Sequence, residues 1–352
     1  MKGRTEPATQ DPTARAVTGR RRWLVALGLA ICAMAVVGWL HGERETIPLR
    51  GADTSEMVFV AGGEFRVRSE EGSLRGRLLR LEPYFIDRFE VTEREWKRFL
   101  AASGRESSGA RPEVGSNPDY PARFIRYPDA VAFARWKHKE LPTNWQWERA
   151  SQGPEGKRFP WGDGFLMAAN TKEVRDRRSS DDPSVTRVGT FERGRSAVGA
   201  YDMIGNVWEW TCSPGTDNLY GSERFSSIDW RELDSTRYRI IRGGAFDTPI
   251  SRTTPKLEDL LWVMSERWDL GMRCSLSLDL YRRQTAIIDA VGDLGHRWRL
   301  LHWSRIGRAE RTLENEVPAL VLPILEEARG LAKEPWLIDR LDDVMTRIRA
   351  QS

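Results

Sequence analysis

Cysteine is scarce in this chain: of its 352 residues only Cys32, Cys212 and Cys274 carry a thiol. That excludes a fold built on a disulfide framework. Cys32 lies inside an apolar run. What remains is either one Cys212–Cys274 bridge or two buried thiols acting as small hydrophobes. Histidine is equally sparse, and His41, His138, His296 and His302 are too scattered to give a metal-ligand spacing. Neither a P-loop nor a G-x-S-x-G nucleophile elbow occurs. There is little excess charge of either sign: 55 basic against 51 acidic residues, a net of +4, interspersed along the chain. Without a basic stripe or a known module, nucleic acid is not expected as a partner. No internal repeat or low-complexity tract is present.

Tryptophan, by contrast, is abundant, with fifteen residues. That count suits a domain whose irregular loops are pinned by large aromatics, each of which buries much area. The first 22 residues are polar and basic and end in Arg20-Arg21-Arg22. From Trp23 to Leu40 no residue is charged. As a helix this run is about 27 Å long, enough to cross a hydrocarbon core, and Trp23 and Trp39 stand where interfacial aromatics belong. A cleaved signal peptide is the competing reading. The long basic segment and the lack of an A-x-A site after the run favour an uncleaved signal-anchor. The Arg cluster places residues 1–22 in the cytoplasm by the positive-inside rule. Residues 41–56 then form a polar tether, with everything beyond them extracytoplasmic on the cytoplasmic membrane.

Between residues 57 and 278 short apolar stretches are broken by Gly and Pro, the texture of an α+β domain with long loops. Helices are expected from Glu93 to Ala102 with Thr92 as N-cap, from Asp129 to Glu140, and from Asn144 to Ser151 with Thr143 and Gln146 as a capping box. Strands are expected at residues 57–60, 84–87 and 238–242. Residues 279–352 differ: glycine thins out and apolar residues recur at helical spacing. Leu337, Leu341, Val344 and Ile348 share one helix face. Leu313, Val317, Leu320, Ile324 and Leu331 suggest a second amphipathic stretch, interrupted at Pro318 and Pro323. This helical C-terminal extension offers a surface for a protein partner.

A series of strings then falls in a fixed order. Met57-Val58-Phe59-Val60-Ala61-Gly62-Gly63 opens it, followed by Phe85-Ile86-Asp87-Arg88-Phe89-Glu90-Val91-Thr92. Leu141-Pro142-Thr143, Trp147-Glu148 and Phe159-Pro160-Trp161-Gly162-Asp163 come next. Tyr201-Asp202-Met203-Ile204-Gly205-Asn206-Val207-Trp208-Glu209-Trp210, Arg242-Gly243-Gly244 and Leu270-Gly271-Met272-Arg273 complete it. Each string is weak alone. Together, over some 220 residues, the stretch resembles the formylglycine-generating enzyme (sulfatase-modifying factor) family, whose fold is an elaborated relative of the C-type lectin fold.

The resemblance implies a calcium ion held by the carboxylates of Asp202 and Glu209 and the carbonyls of Gly205 and Val207, oxygen ligands suited to a hard cation. The alternative is that Asp202 and Glu209 only brace the loop by accepting backbone N–H bonds. A second family calcium site would draw on Asn170, the Thr171 carbonyl and Asp181-Asp182, across a loop of different length here. The resemblance also exposes a departure. The family's oxidases follow Arg-Gly-Gly with Ser, a Cys three residues on and a second Cys five further, thiolates that bind copper(I). In this chain those positions hold Ala245, Thr248 and Thr253. A threonine hydroxyl is neither a soft metal ligand nor a partner in a mixed disulfide, so copper is not expected. Cys274 occupies a position bridged in some relatives, with Ser151 where its partner would stand. The region is then either a loop kept for the fold or a repurposed cleft lined by Arg242, Asp247, Arg252 and Trp262.

Two functions follow. One is a non-catalytic scaffold or binding protein, a pseudoenzyme of the kind this fold supplies to envelope machinery. The other is a divergent oxidoreductase, or another enzyme of the family, acting on a protein or small molecule.

Overall fold

Two threonines start the helices that frame the domain. Thr92 accepts from the Glu95 N–H while the Glu95 side chain accepts from the Thr92 N–H, closing a capping box at the head of α1, Glu93–Ser103. Trp96 and Phe99 are its buried face. Thr143 and Gln146 make the same box at the head of α3, Asn144–Gln152. Between them runs α2, Tyr127–Trp136, with proline in its first turn, where no N–H is needed. It stops four residues short of the expected Glu140. His138 turns into the left-handed region at φ 56°. Glu140 then leaves to pair with Ser275, each backbone N–H donating to the other's carbonyl at 2.9 and 2.7 Å. A tertiary bridge, invisible to helical periodicity, ends the helix.

This is a computed structural model; it describes residues 49, 51–66, 78–106, 117–177, 184–215, 237–294, 303–316 and 318–351. The apolar segment 23–40 lies outside the described residues, among which no helix is long and apolar enough to cross a membrane. The described chain divides into two units, Gly51–Arg282 and one built on residues from Arg283 onward.

In the first unit β1 (Met57–Val60), β4 (Tyr84–Asp87) and β9 (Ser275–Ser277) form one antiparallel sheet in the order β1-β4-β9. β2 (Gly63–Arg66) and β3 (Leu78–Leu81) form a separate antiparallel pair. A four-stranded sheet runs β7-β6-β5-β8. Its strands are β5 (Trp208–Pro214), β6 (Tyr238–Arg242), β7 (Glu258–Trp262) and β8 (Leu270–Gly271), with β5 and β8 parallel. Short α4, Lys172–Arg175, lies in the long connection between α3 and β5. The main core gathers Trp96, Phe99, Phe133, Trp208, Trp210, Phe246 and Met272. Trp210 is wholly buried, its indole N–H donating to the Ile125 carbonyl at 2.7 Å and its ring meeting Tyr127 edge-on. This mixture of strands, helices and long loops is α+β.

The second unit is helical: α5 (Leu278–Leu294, beginning in the first unit), α6 (Trp303–Glu314), α7 (Pro318–Leu331) and α8 (Pro335–Ala350). Leu337, Leu341, Val344 and Ile348 are all buried on one face of α8. Of the two interruptions expected at prolines, the first is present, since α6 ends at Glu314 and a new helix starts at Pro318, and the second is not. Pro318 begins α7, and Pro323 sits inside it without ending it. Burial of Val321, Ile324, Leu325 and Ala328 on one face offsets the hydrogen bond that Pro323 cannot donate. Leu331, assigned to that face, is instead 41 % exposed at the helix end, and Val317 lies outside the described residues.

Candidate functional site

The segment 201–209 departs from ordinary backbone in three places. Asp202, Gly205 and Asn206 have φ of 54°, 79° and 57°. A Cβ on Gly205 would lie 2.4 Å from the Asn170 carbonyl oxygen, so only glycine lets these loops meet. Asn206 fastens the junction. Its Oδ1 accepts from Asn170 Nδ2 and from the Thr186 N–H, both at 3.0 Å, and its Nδ2 donates to Glu90 at 2.6 Å. The other Glu90 oxygen accepts from the Val207 N–H at 3.2 Å. Asn170 and Thr171, proposed for the second calcium site, are both buried here; Asp181 and Asp182 lie outside the described residues.

From this turn the chain enters β5, which carries Glu209 into the interior. Glu209 Oε2 accepts from Trp147 Nε1 and from Arg273 Nε, both at 2.7 Å, and Oε1 accepts from Arg273 Nη2 at 2.6 Å. Asp202 accepts from the Gly189 N–H at 2.7 Å. Glu90, Asp202 and Glu209 thus share one buried neighbourhood with Arg273, three carboxylates to one guanidinium. Burial, then the charges of Asp202 and Glu209, push the Glu90 carboxyl well above its usual range. Burial, aided by Glu209, pushes Asp202 up to about 6 against the pull of the Gly189 N–H and Arg273. A hard dication suits this excess of negative charge. Each carboxylate oxygen can accept twice, so Glu209 Oε1 keeps capacity beside Arg273, and Asp202 has its second oxygen. Among the described residues no three acid, His or Cys side chains converge as a metal cluster. A cation would therefore need the backbone carbonyls of Gly205 and Val207 as well. The carboxylates of Asp202 and Glu209 and the carbonyls of Gly205 and Val207 are hard oxygen donors of the kind calcium takes.

The Arg-Gly-Gly loop corrects the proposed cleft. Arg242 is fully buried and cannot line an open surface: it pairs with Glu148 and, at 3.4 Å, with Glu258, and lies 5.5 Å from the Trp147 ring centroid. It braces the core instead. Asp247 is half-buried, and burial, then the neighbouring Asp269, raises its carboxyl above the usual range. Arg252 is exposed and Trp262 is 49 % exposed on β7.

The threonines at the cysteine positions serve the loop itself. Thr248 Oγ1 accepts from the Ala245 N–H at 2.9 Å, and the Thr248 N–H donates back to the Ala245 carbonyl. Thr253, fully buried, donates to the Pro249 carbonyl at 2.8 Å. Cys212 on β5 and Cys274 are not bridged; of the two thiols expected to be buried, Cys274 is buried and Cys212 half-buried. Ser151 is buried with its hydroxyl lacking a partner among the described residues. Sequence reasoning missed Glu90, Trp147 and Arg273 as members of the site, although all three lie inside the quoted strings. No local sequence signal marks them, because the partners of each are brought in by distant elements.

Residues 44–278 match the family model of the sulfatase-modifying factor enzyme 1-like domain. The chain belongs to that family. It is 32 % identical over 246 residues to a hercynine oxygenase of Mycolicibacterium thermoresistibile, covering 59 % of this chain and 53 % of that one. To a formylglycine-generating enzyme of Mycobacterium tuberculosis it is 36 % identical over 132 residues, 34 % of this chain and 44 % of that one. The chain spans about half the length of the first of these. Among solved structures, PvdO from Pseudomonas aeruginosa aligns over 67 % of this chain and all of its own, at 20 % identity and a TM-score of 0.49.

Proposed function

We propose that this protein is a non-catalytic binding or scaffold member of the family, held on the outer side of the cytoplasmic membrane by residues 23–40, with a structural calcium at Asp202, Gly205, Val207 and Glu209. The observation that carries the non-catalytic reading is the fate of the two cysteine positions. Thr248 and Thr253 hold loop backbone through their hydroxyls, and Ala245 is buried where the oxidases place serine. The remaining described thiols lie elsewhere, Cys212 on β5 and Cys274 just before β9. Calcium would add oxygen-bound positive charge to a turn that already carries surplus carboxylate, and so would stiffen the Asp202–Glu209 segment. The C-terminal helices are the surface we assign to a protein partner.

A divergent oxidoreductase is the second reading, favoured by the named activities of the two relatives above. Copper(I) titration of the purified protein separates the readings, together with mass spectrometry of a co-expressed Cys-x-Pro-x-Arg peptide. The non-catalytic reading expects no stoichiometric tight copper and an unmodified thiol. A formylglycine mass shift that disappears on mutating Cys212 or Cys274 would overturn it.

A further inference from the structure

A second site lies away from the Arg-Gly-Gly loop. A cleft of about 600 Å³, within the range of small-molecule sites, opens where the segment before β1, the β4–α1 connection, the end of α2 and residues 187–188 meet. Its charged groups fall into two tiers. Asp87, Glu90 and Lys139 lie deep: Glu90 is held by Asn206 Nδ2 and the Val207 N–H, and Lys139 is 7 % exposed and donates to Asp87 Oδ1 at 2.7 Å. An ammonium has three N–H donors, and Asp87 takes one. Two more pairs are closed among themselves, Lys137 with Glu95 at 3.3 Å and Arg94 with Asp119 at 2.5 Å.

That leaves a rim. Arg98 on α1 and Arg187 line the cleft, are exposed, and make no ion pair with any described residue. Glu56 and Asp53 line it too, both exposed. Asp53 accepts locally from the Ser55 N–H at 2.9 Å, and Glu56 has no side-chain partner among the described residues. The rim therefore offers two guanidiniums and two carboxylates, above a buried ammonium with donors to spare. Ion pairs exposed at a surface are worth little. Charges that a ligand covers inside a cleft are screened less, and bidentate guanidinium–carboxylate contacts fix orientation. A purely anionic ligand would face Asp53 and Glu56 unpaired, and a purely cationic one would face Arg98 and Arg187.

We propose that this cleft binds a small zwitterion of up to dipeptide size, its carboxylate received by Arg98, Arg187 and Lys139 and its cationic group by Glu56 and Asp53. The assignment does not rest on how the Thr248–Thr253 loop functions.

The test is calorimetric titration of the full chain, purified in detergent, with four probes: L-arginyl-L-glutamate, free L-arginine, agmatine and succinate. Saturable binding is expected for the first two. Agmatine lacks the carboxylate and succinate the cation, so both should bind at least tenfold more weakly. Arg98→Gln with Arg187→Gln, and separately Glu56→Gln, should each weaken the dipeptide at least tenfold while leaving the melting temperature unchanged, since all three side chains are exposed. Three results would overturn the proposal: no saturable dipeptide binding by the wild type, equal binding of succinate or agmatine, or variants that bind the dipeptide as the wild type does.

Discussion

Arg273 lies across both oxygens of Glu209, its Nε on one at 2.7 Å and its Nη2 on the other at 2.6 Å, with neither side chain exposed to solvent. The same guanidinium donates to the Tyr201 carbonyl at 2.9 Å and the Asp87 carbonyl at 3.2 Å. One side chain thus ties β5, the turn before it and the end of β4 together. Removing one partner strands a buried charge, which costs about 3–5 kcal/mol. Arg273→Met is expected to lower the unfolding free energy by that amount in urea titration. Arg273→Lys should recover only part of it, because an ammonium cannot make the two-pronged contact. A loss below about 1 kcal/mol for Arg273→Met would show the pair to be dispensable.

Calcium gives a second expectation. If Asp202 and Glu209 hold an ion with the Gly205 and Val207 carbonyls, chelator should lower the melting temperature and added calcium should restore it, since a ligand that binds only the folded state stabilises it by mass action. Asp202→Ala should melt at one temperature with or without chelator. A wild-type melting curve indifferent to chelator would leave Asp202 and Glu209 as loop braces.

Much of this architecture was legible in the sequence. Strands β1, β4 and β6 have the expected bounds, and the Thr92 and Thr143 caps mark the starts of α1 and α3, because alternation and capping are local signals. What escaped is long-range. The end of α2 is set by a partner 135 residues away. Arg242 looked available for a cleft because its counter-charges, Glu148 and Glu258, are brought in by α3 and β7. Glu90 enters the site through Asn206, 116 residues on, and no periodicity announces such a pair. Pro323 misled for another reason: its cost is local, while the burial that offsets it is tertiary.

The topology expectation concerns residues 23–40. With those residues as an anchor and the arginines before them in the cytoplasm, protease added to spheroplasts should digest the domain from residue 57 onward. Permeabilised cells should show the same fragments, and a cytoplasmic marker protein should survive in the intact ones. Full protection of the domain in intact spheroplasts would sink the assignment.

Cys274 supplies the last expectation. Its thiol is buried beside Asp87, which accepts the Cys274 N–H at 2.8 Å. Burial first, and the Asp87 carboxylate second, push its pKa well above the ordinary thiol range, outweighing the attraction of Lys139. The thiolate is the reactive species, so Cys274 should resist iodoacetamide in the native protein and react once urea unfolds it, as peptide mass mapping would reveal. The same shift makes stability depend on pH. A group whose folded pKa is raised contributes stability that is fully present below its unfolded value, near 8.5, and is lost as pH rises through its folded value. Above about pH 8.5 the unfolded chain releases this proton while the folded chain keeps it, and a single such group gives a slope of about −1.4 kcal/mol per pH unit. Unfolding free energies of wild type and Cys274→Ala, measured from pH 7.5 to 9.5, should therefore converge as pH rises, since alanine has no proton to lose. Parallel curves, or rapid native alkylation at Cys274, would mean that the thiol is solvated and that the packing around β9 is looser than described.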